Sequence, residues 1–389
     1  MKTNALIFGT GSLFLKNKVE INNYYNILSF IDNDPHKKGG VIDGIIIHSP
    51  DEIPSLEYDV IVISSSYEGE IYDQLQQLGV PKRKIIFLRT ILGVEYGRIS
   101  SNINTSSLFY NSTGLHGENL SIVILSYNRV DMTIRLLSSL SNHIPLFKGE
   151  IVIFDNGSNY NELDILKKFI ASFKFSCIVV ENNKNYGVAK GRNNAINVVT
   201  KDWIFFIDND IYLISNPLIA IHETISKFNT PYINLPLLNK DSMTVYSFGG
   251  NVTTSDGYVE ISPFIPEGFP KCLVDHCITT EVIFGSFLSG GTAVYHRESF
   301  ISEGGFDEDL FIGFEDVVFS ISLMRKGVRI ANIPSFHMIH DHARESDHDY
   351  NKIRYDKKTI KESAQKIYDK YGFKLYSSNV WQWLDDRCK

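Results

Sequence analysis

The chain has 389 residues, 43% of them hydrophobic and 12% aromatic, which suits two or three folded domains and excludes a disordered protein. Asp and Glu number 45 against 38 Lys and Arg, and the net charge of -7 argues against a nucleic-acid binder. Cys177, Cys272, Cys277 and Cys388 are too few and too scattered for a disulfide framework, and no stretch approaches the ~18 apolar residues of a membrane span. The expectation is a cytoplasmic protein without a transmembrane segment. Peripheral contact at the inner membrane face and oligomeric state are left open.

In chain order, Ala5–Phe8, Ile27–Ile31, Val60–Ile63 and Ile85–Leu88 read as short buried strands, with a helix over Tyr72–Leu78. Strands separated by helices favour a parallel sheet with crossover connections, so residues 1–98 are expected to form a small α/β domain. Gly9-Thr10-Gly11 follows the first strand and Asp32 ends the second. That layout suits a dinucleotide site, in which the glycines admit a pyrophosphate and the acid meets ribose hydroxyls. The third glycine is replaced by Phe14, so a turn that needs Gly9 and Gly11 for geometry alone is the competing reading.

Residues 99–118 are rich in Ser and Asn and read as a linker. A second alternation over 119–345 opens with the strand Ser121–Leu125 and the helix Met132–Leu140. Ile151–Phe154, Ile178–Val180 and Trp203–Ile207 follow as strands, the last apolar throughout, as a strand buried on both faces should be. Residues 346–389 form a lysine-rich helical extension, with Ile353, Ile360, Ala364, Ile367 and Tyr371 at helical spacing and Trp381, Trp383 and Leu384 beyond.

Asp208-Asn209-Asp210 directly follows Trp203–Ile207, at the strand end where α/β folds place ligands. Two carboxylates there can hold a hard divalent cation whose other positions go to diphosphate oxygens and water. The same triplet at Asp32-Asn33-Asp34 shows that the triplet alone proves nothing. Glu315-Asp316 opens a probable helix, where acids also occur simply because they favour the positive end of the dipole. His337, His340, His342 and His348 cluster further on, and surface or packing roles compete with metal ligation. Cys272, His276 and Cys277 lack a second pair and read as incidental.

Two resemblances follow. The segment Phe8-Gly9-Thr10-Gly11, Phe30-Ile31-Asp32-Asn33-Asp34, Gly44 and Ser49-Pro50-Asp51-Glu52 resembles the small Rossmann-like domains found beside sugar-modifying enzymes. It implies a nucleotide or nucleotide-sugar ligand at Gly9, Gly11 and Asp32. Residues 120 to about 345 resemble the inverting GT-A glycosyltransferases of family 2. The markers occur in the family's order: Ser121 to Arg129, Ile153 to Ser158, Asn185-Tyr186-Gly187 through Gly191-Arg192-Asn193, and Phe206 to Asp210. Ser289-Gly290-Gly291, Gly304 to Glu308, Gly313 to Asp316 and a histidine after Pro334 complete the set.

The second resemblance implies the roles. Tyr127 and Asp155 would hold the base and ribose of a nucleotide-sugar donor, with Asn128, Arg129, Asn185 and Asn209 in the same pocket. Arg192 would meet the diphosphate. Asp208 would contact ribose or metal, and Asp210 and His340, with His342 as the second choice, the metal, Mn²⁺ or Mg²⁺. Asp316 would be the general base toward an acceptor hydroxyl of a glycan or glycoconjugate. Glu315, turned about 100° away on the helix, would bind that acceptor, and Gly290 and Gly291 would let it approach. The setting implied is surface polysaccharide or glycoconjugate assembly. An NAD-dependent oxidoreductase or epimerase centred on the N-terminal domain and a non-enzymatic sugar-nucleotide sensor are the alternatives. The missing third glycine and the lack of a Tyr-x-x-x-Lys pair there argue against the former. The presence of Asp210 together with Asp316 argues against the latter.

Overall fold

The computed structural model describes residues 2–65, 67–81, 84–88, 110–255, 258–278, 281–341 and 356–375. Two compact units divide the chain: 1–96 with Cys272–Cys277, and 97–271 with 278–389.

In the first unit the apolar run ending at Phe8 lies in Thr3–Phe8, the inner strand of a six-stranded sheet. Tyr25–Ile31 pairs parallel on one side of it and Val60–Ile63 on the other. Ile45–His48 continues the first side and Ile85–Phe87 the second, both parallel, while Val41–Ile42 adds an antiparallel edge. The strand order therefore reverses between Thr3–Phe8 and Val60–Ile63, the place where such sheets open a crevice at their carboxyl ends. Leu6, Phe8, Ile31, Ile61, Ile63, Ile71 and Leu75 form its core. Phe14, where a dinucleotide fingerprint has glycine, is fully buried edge-on to Phe30 at 4.9 Å between ring centres.

The second unit is built on an eight-stranded sheet. Cys177–Glu181, Glu150–Asp155, Leu120–Ser126 and Trp203–Ile207 run parallel. Thr292–His296 pairs antiparallel with Trp203–Ile207, and Tyr232–Asn234, Ile330–Asn332 and Ile283–Gly285 extend that edge. Trp203–Ile207 is apolar at every position because both of its faces are covered. Trp203, Phe205 and Ile207 join one core with Leu136, Leu137 and Leu140 of the helix Val130–His143. Ile204 and Phe206 join another on the opposite face with Tyr295, Phe300 and Phe319.

Ile211–Leu213 pairs antiparallel with Met338–His340, which sets Ile211 opposite His340. The helix of the C-terminal extension runs Lys357–Tyr371, capped by Asp356 and ended by Gly372 in the left-handed region. Ile367, Phe373 and Leu375 pack there with Val317, Val318 and Ile321, so the extension buttresses the helix Glu315–Arg325. Its register residue Ile353, and Trp381, Trp383 and Leu384, lie outside the described residues. Of residues 99–118, expected as linker, 99–109 lie outside the described residues, and 110–118 are tied in: Trp203 Nε1 donates to Asn111 O at 2.7 Å, and Tyr110 packs edge-on to Trp203. Among the described residues no helix is long and apolar enough to cross a membrane.

Candidate active site

The parallel strands of the large sheet end together, which brings Tyr127-Asn128-Arg129, Asp155 and Asp208-Asn209-Asp210 to one rim. Asn128 and Arg129 both adopt left-handed backbone, with φ of 50° and 49°. For a residue such as Arg that costs roughly 1–2 kcal/mol, and strain of this kind collects at functional sites. The turn aims Arg129 at Asp210, with Nη1 3.7 Å from Oδ2. Asn128 is held by Ser158 and Asn159: its N–H donates to Ser158 Oγ, and its Oδ1 accepts from Asn159 N at 3.0 Å.

Asp155 is 1% exposed. Its Oδ2 accepts the N–H groups of Gly157 and Ser158, while the buried Oδ1 has no hydrogen-bond partner among the described residues. An unmet buried acceptor costs about 1–3 kcal/mol. Asn185 is bonded within the protein instead. Its Oδ1 accepts from Asn156 Nδ2 and Gly187 N and fixes the loop that opens the helix Val188–Ile196.

Arg192 departs most from expectation. Projecting from that helix, it is 3% exposed and donates to Asp208 Oδ1 at 2.5 Å and to Glu315 Oε1 at 3.1 Å. Burial opposes its charge, but the two carboxylates outweigh burial and hold the proton more firmly than usual. The rings of Phe206 and Phe306 lie 5.8 and 5.7 Å from the guanidinium. Its fork is thus taken up by side chains, which argues against the diphosphate role. Asp208 gives its Oδ1 to that pair. Asn209 donates to Thr133 Oγ1 at 3.3 Å.

Asp210 and His340 do meet: His340 Nε2 is 3.4 Å from Asp210 Oδ1, and both side chains are 6% exposed. The pairing of Ile211–Leu213 with Met338–His340 brings them together. Among the described residues no three His, Cys, Asp or Glu side chains converge as a ligand set. One carboxylate and one imidazole nevertheless suit a hard cation that takes its remaining oxygens from a diphosphate and water. His337 serves packing, held between Ser215 and Ser335. His342 and His348 lie outside the described residues.

Glu315 and Asp316 begin their helix after Phe314 in left-handed backbone at φ 70°. Glu315 is 6% exposed and turned onto Arg192, with Oε2 lacking a partner among the described residues. Asp316 is the less buried of the two. Its Oδ2 accepts Gly290 N at 3.2 Å and its Oδ1 accepts Val317 N at 2.8 Å. Burial raises both carboxyl pKa values, and the neighbouring Asp316 charge raises that of Glu315 further. The two glycines are required by this packing: a Cβ on Gly290 would sit 2.6 Å from Arg192 Nη1, and one on Gly291 2.5 Å from Asp208 Oδ2. Asn234, absent from the sequence reading, also supports the loop by accepting Ser289 N at 3.2 Å. A buried asparagine in an otherwise apolar strand was its only signal.

Residues 121–229 match the description Glycosyl transferase family 2. Over those residues the chain is similar to the family 2 glycosyltransferases. The α/β class expected from the sequence is the one described above. Residues 1–86 match a second family, C2185-like, N-terminal. The poly(ribitol-phosphate) beta-glucosyltransferase of Bacillus spizizenii is 34% identical over 118 residues, 30% of this chain and 18% of that protein. The rhamnosyltransferase WbbL of Escherichia coli is 24% identical over 229 residues, 56% of this chain and 82% of that protein. The mannosyltransferase PcManGT of Pyrobaculum calidifontis, solved with GDP-Man and Mn²⁺, aligns with a TM-score of 0.46 at 12% identity, covering 76% of this chain and 74% of that one. The chain spans at most 37% of the length of four of the curated relatives that it matches.

In the N-terminal unit, Asp32 does not stand ready for a ribose. Its Oδ2 accepts Thr10 N, Thr10 Oγ1 and, at 2.8 Å, Lys37 Nζ, and its Oδ1 accepts Asp34 N. Burial would raise this carboxyl, but Lys37 and Thr10 prevail and hold it at about 2.

Proposed function

We propose that the chain transfers a sugar, with inversion, from a nucleoside-diphosphate donor to a hydroxyl of a glycan or glycoconjugate acceptor. Assembly of surface polysaccharide or a related glycoconjugate is the setting. The observation that carries this reading is Arg192: it ties Asp208, at the end of the central strand, to Glu315, next to Asp316. Donor-side acid and candidate base therefore belong to one site. The similarity to family 2 glycosyltransferases over residues 121–229 supports the same reaction class.

In this reading Asp155 Oδ1 accepts an N–H of the donor base, and half-buried Tyr127 lies beside it at the strand end. Asp210 and His340 would hold Mn²⁺ or Mg²⁺. When bound, such a cation offsets the charge of a departing diphosphate. Asp316 takes the proton from the acceptor hydroxyl as its oxygen bonds to the anomeric carbon. The bond from that carbon to the diphosphate oxygen breaks on the opposite face, and the electron pair leaves with the nucleoside diphosphate. Gly290 N holds Asp316 in place for this step. One base suffices, so no covalent nucleophile is required.

The test is a panel of UDP-, GDP-, dTDP- and CMP-sugars with candidate acceptors, in Mn²⁺ and in EDTA, read by nucleotide release and by NMR of the new anomeric centre. Transfer with inverted configuration, lost in EDTA and in Asp210→Ala, is expected. Retained configuration, or full turnover in Asp210→Ala, would overturn the mechanism.

A further inference from the structure

Two asparagines sit side by side on adjacent strands of the large sheet. Asn234 ends the strand Tyr232–Asn234, Asn332 ends Ile330–Asn332, and the two are register partners in a parallel pair. Each is 1% exposed. Asparagine is depleted in strands, and a buried amide is costly unless it is hydrogen-bonded. Here the bonds are made, and they run in one direction. Asn332 Nδ2 donates to Ile283 O at 3.0 Å and to Ile330 O at 3.2 Å. With both hydrogens placed, Asn332 offers Asn234 only its Oδ1, which accepts Asn234 Nδ2 at 3.0 Å. Asn234 must therefore turn its own Oδ1 to Ser289 N, at 3.2 Å. Gly249 closes over the pair, and a Cβ on it would collide with Asn332 Oδ1.

Ser289 opens a loop whose next bonds reach both halves of the candidate site. Gly290 N donates to Asp316 Oδ2 at 3.2 Å, and Gly291 O accepts Asp208 N at 3.0 Å. On the flanks, Leu288 N donates to Ser320 Oγ at 3.0 Å, and Thr292 O accepts Leu235 N at 3.1 Å. Asn234 is the side chain that holds Ser289, one residue before the N–H that orients Asp316. Planar peptide units are joined at a shared Cα, so a displaced Ser289 carries the Gly290 N–H with it.

We infer that Asn234 and Asn332 are positioning residues: they fix Ser289, and through it aim Gly290 N at the Asp316 carboxylate. The inference rests on the reading of Asp316 as the base. Both asparagines are too deeply buried to meet substrate. Asn332 acts at one remove, by dictating which way the Asn234 amide faces. Without it that amide can turn over and set its Nδ2 against Ser289 N, donor against donor.

The test is kcat, with donor affinity by calorimetry, for Asn234→Ala and Asn332→Ala, using the panel nucleotide sugar that gives turnover. A shift of about 1 Å can cost some 10²-fold in rate, so each variant should lose roughly 10- to 100-fold in kcat. Donor affinity should stay near wild type. A residue that merely supports the fold would add its loss to any other, whereas these two act through Asp316. In the Asp316→Asn background, Asn234→Ala should therefore lower kcat no further. In the wild type, which needs no variant to fold, the Ser289 amide should be protected in hydrogen exchange. An unprotected Ser289 amide, or an equal loss of donor affinity, would overturn the inference. So would wild-type kcat in Asn234→Ala beside a slowed Asp316→Asn, or a loss repeated in full on the Asp316→Asn background. Full turnover in Asp316→Asn would overturn the base assignment itself, and the inference with it.

Discussion

Asp155 and Asp316 are the same side chain in two settings, and the settings separate their uses. Asp155 is 1% exposed and keeps one oxygen without a hydrogen-bond partner among the described residues. Asp316 is more open and has each oxygen on a single backbone N–H, so an acceptor hydroxyl can still reach it. Replacing it by Asn keeps the shape and removes the basic lone pair. Asp316→Asn should therefore lower kcat by roughly 10²–10⁴, while donor affinity by calorimetry stays near wild type. A matching loss of donor affinity would assign Asp316 to binding. Burial raises the carboxyl pKa of Asp316, so the proposed base stays protonated, and idle, up to a higher pH than an ordinary carboxylate near 4. The acid limb of kcat/KM should accordingly have its midpoint above that value. Stability follows the opposite slope: the protonated form favours folding fully below the ordinary pKa, and that contribution is lost as pH rises through the raised one.

At the scale of elements, the site depends on how closely the Ser289-Gly290-Gly291 loop approaches the ends of two others. Arg192 is fixed between Asp208 and Glu315, so it cannot swing aside for a new methyl group. A Cβ on Gly290 would meet its Nη1 at 2.6 Å and Asp316 Cβ at 3.3 Å. Gly290→Ala should misplace both carboxylate partners, and a shift of about 1 Å can cost some 10²-fold in rate. The check is kcat/KM on a folded variant, and an unchanged value would separate the glycine from the chemistry. Much of this layout was legible beforehand: the all-apolar strand before Asp208, the acids at its end, and the glycine pair were visible in the sequence. What pairs with Arg192 was not, because residue type suggests a phosphate as readily as two carboxylates when burial is unknown. Lys37 next to Asp32 was missed for a similar reason. A surface lysine five residues on carries no signal until the loop folds it back onto the acid.

For the whole molecule, the division into two units is a statement about cores. Leu6, Phe8, Ile61 and Ile63 close one hydrophobic cluster around the N-terminal sheet. Leu120, Ile122, Trp203 and Phe205 belong to another, and Ile204 and Phe206 to a third. The sequence placed the change near residue 98, and the contacts divide the chain at Tyr96, with Cys272–Cys277 grouped with the N-terminal residues. Composition alone misread residues 110–118 because a polar segment can still be fastened by its backbone, as Asn111 O is by Trp203 Nε1. If each core folds as its own cooperative unit, calorimetry of the full chain should resolve two transitions. Ile61 is fully buried, and Ile61→Ala should cost about 2–5 kcal/mol. In a unit of some 60–100 residues each kcal/mol lowers the midpoint by roughly 4–8 °C, so one transition should fall well below the other. The second should stay in place and keep its response to a nucleotide sugar with Mn²⁺. A single transition that moves as a whole in Ile61→Ala would mean instead that the two cores unfold together, and that any ligand of the N-terminal unit also stabilises the transferase site.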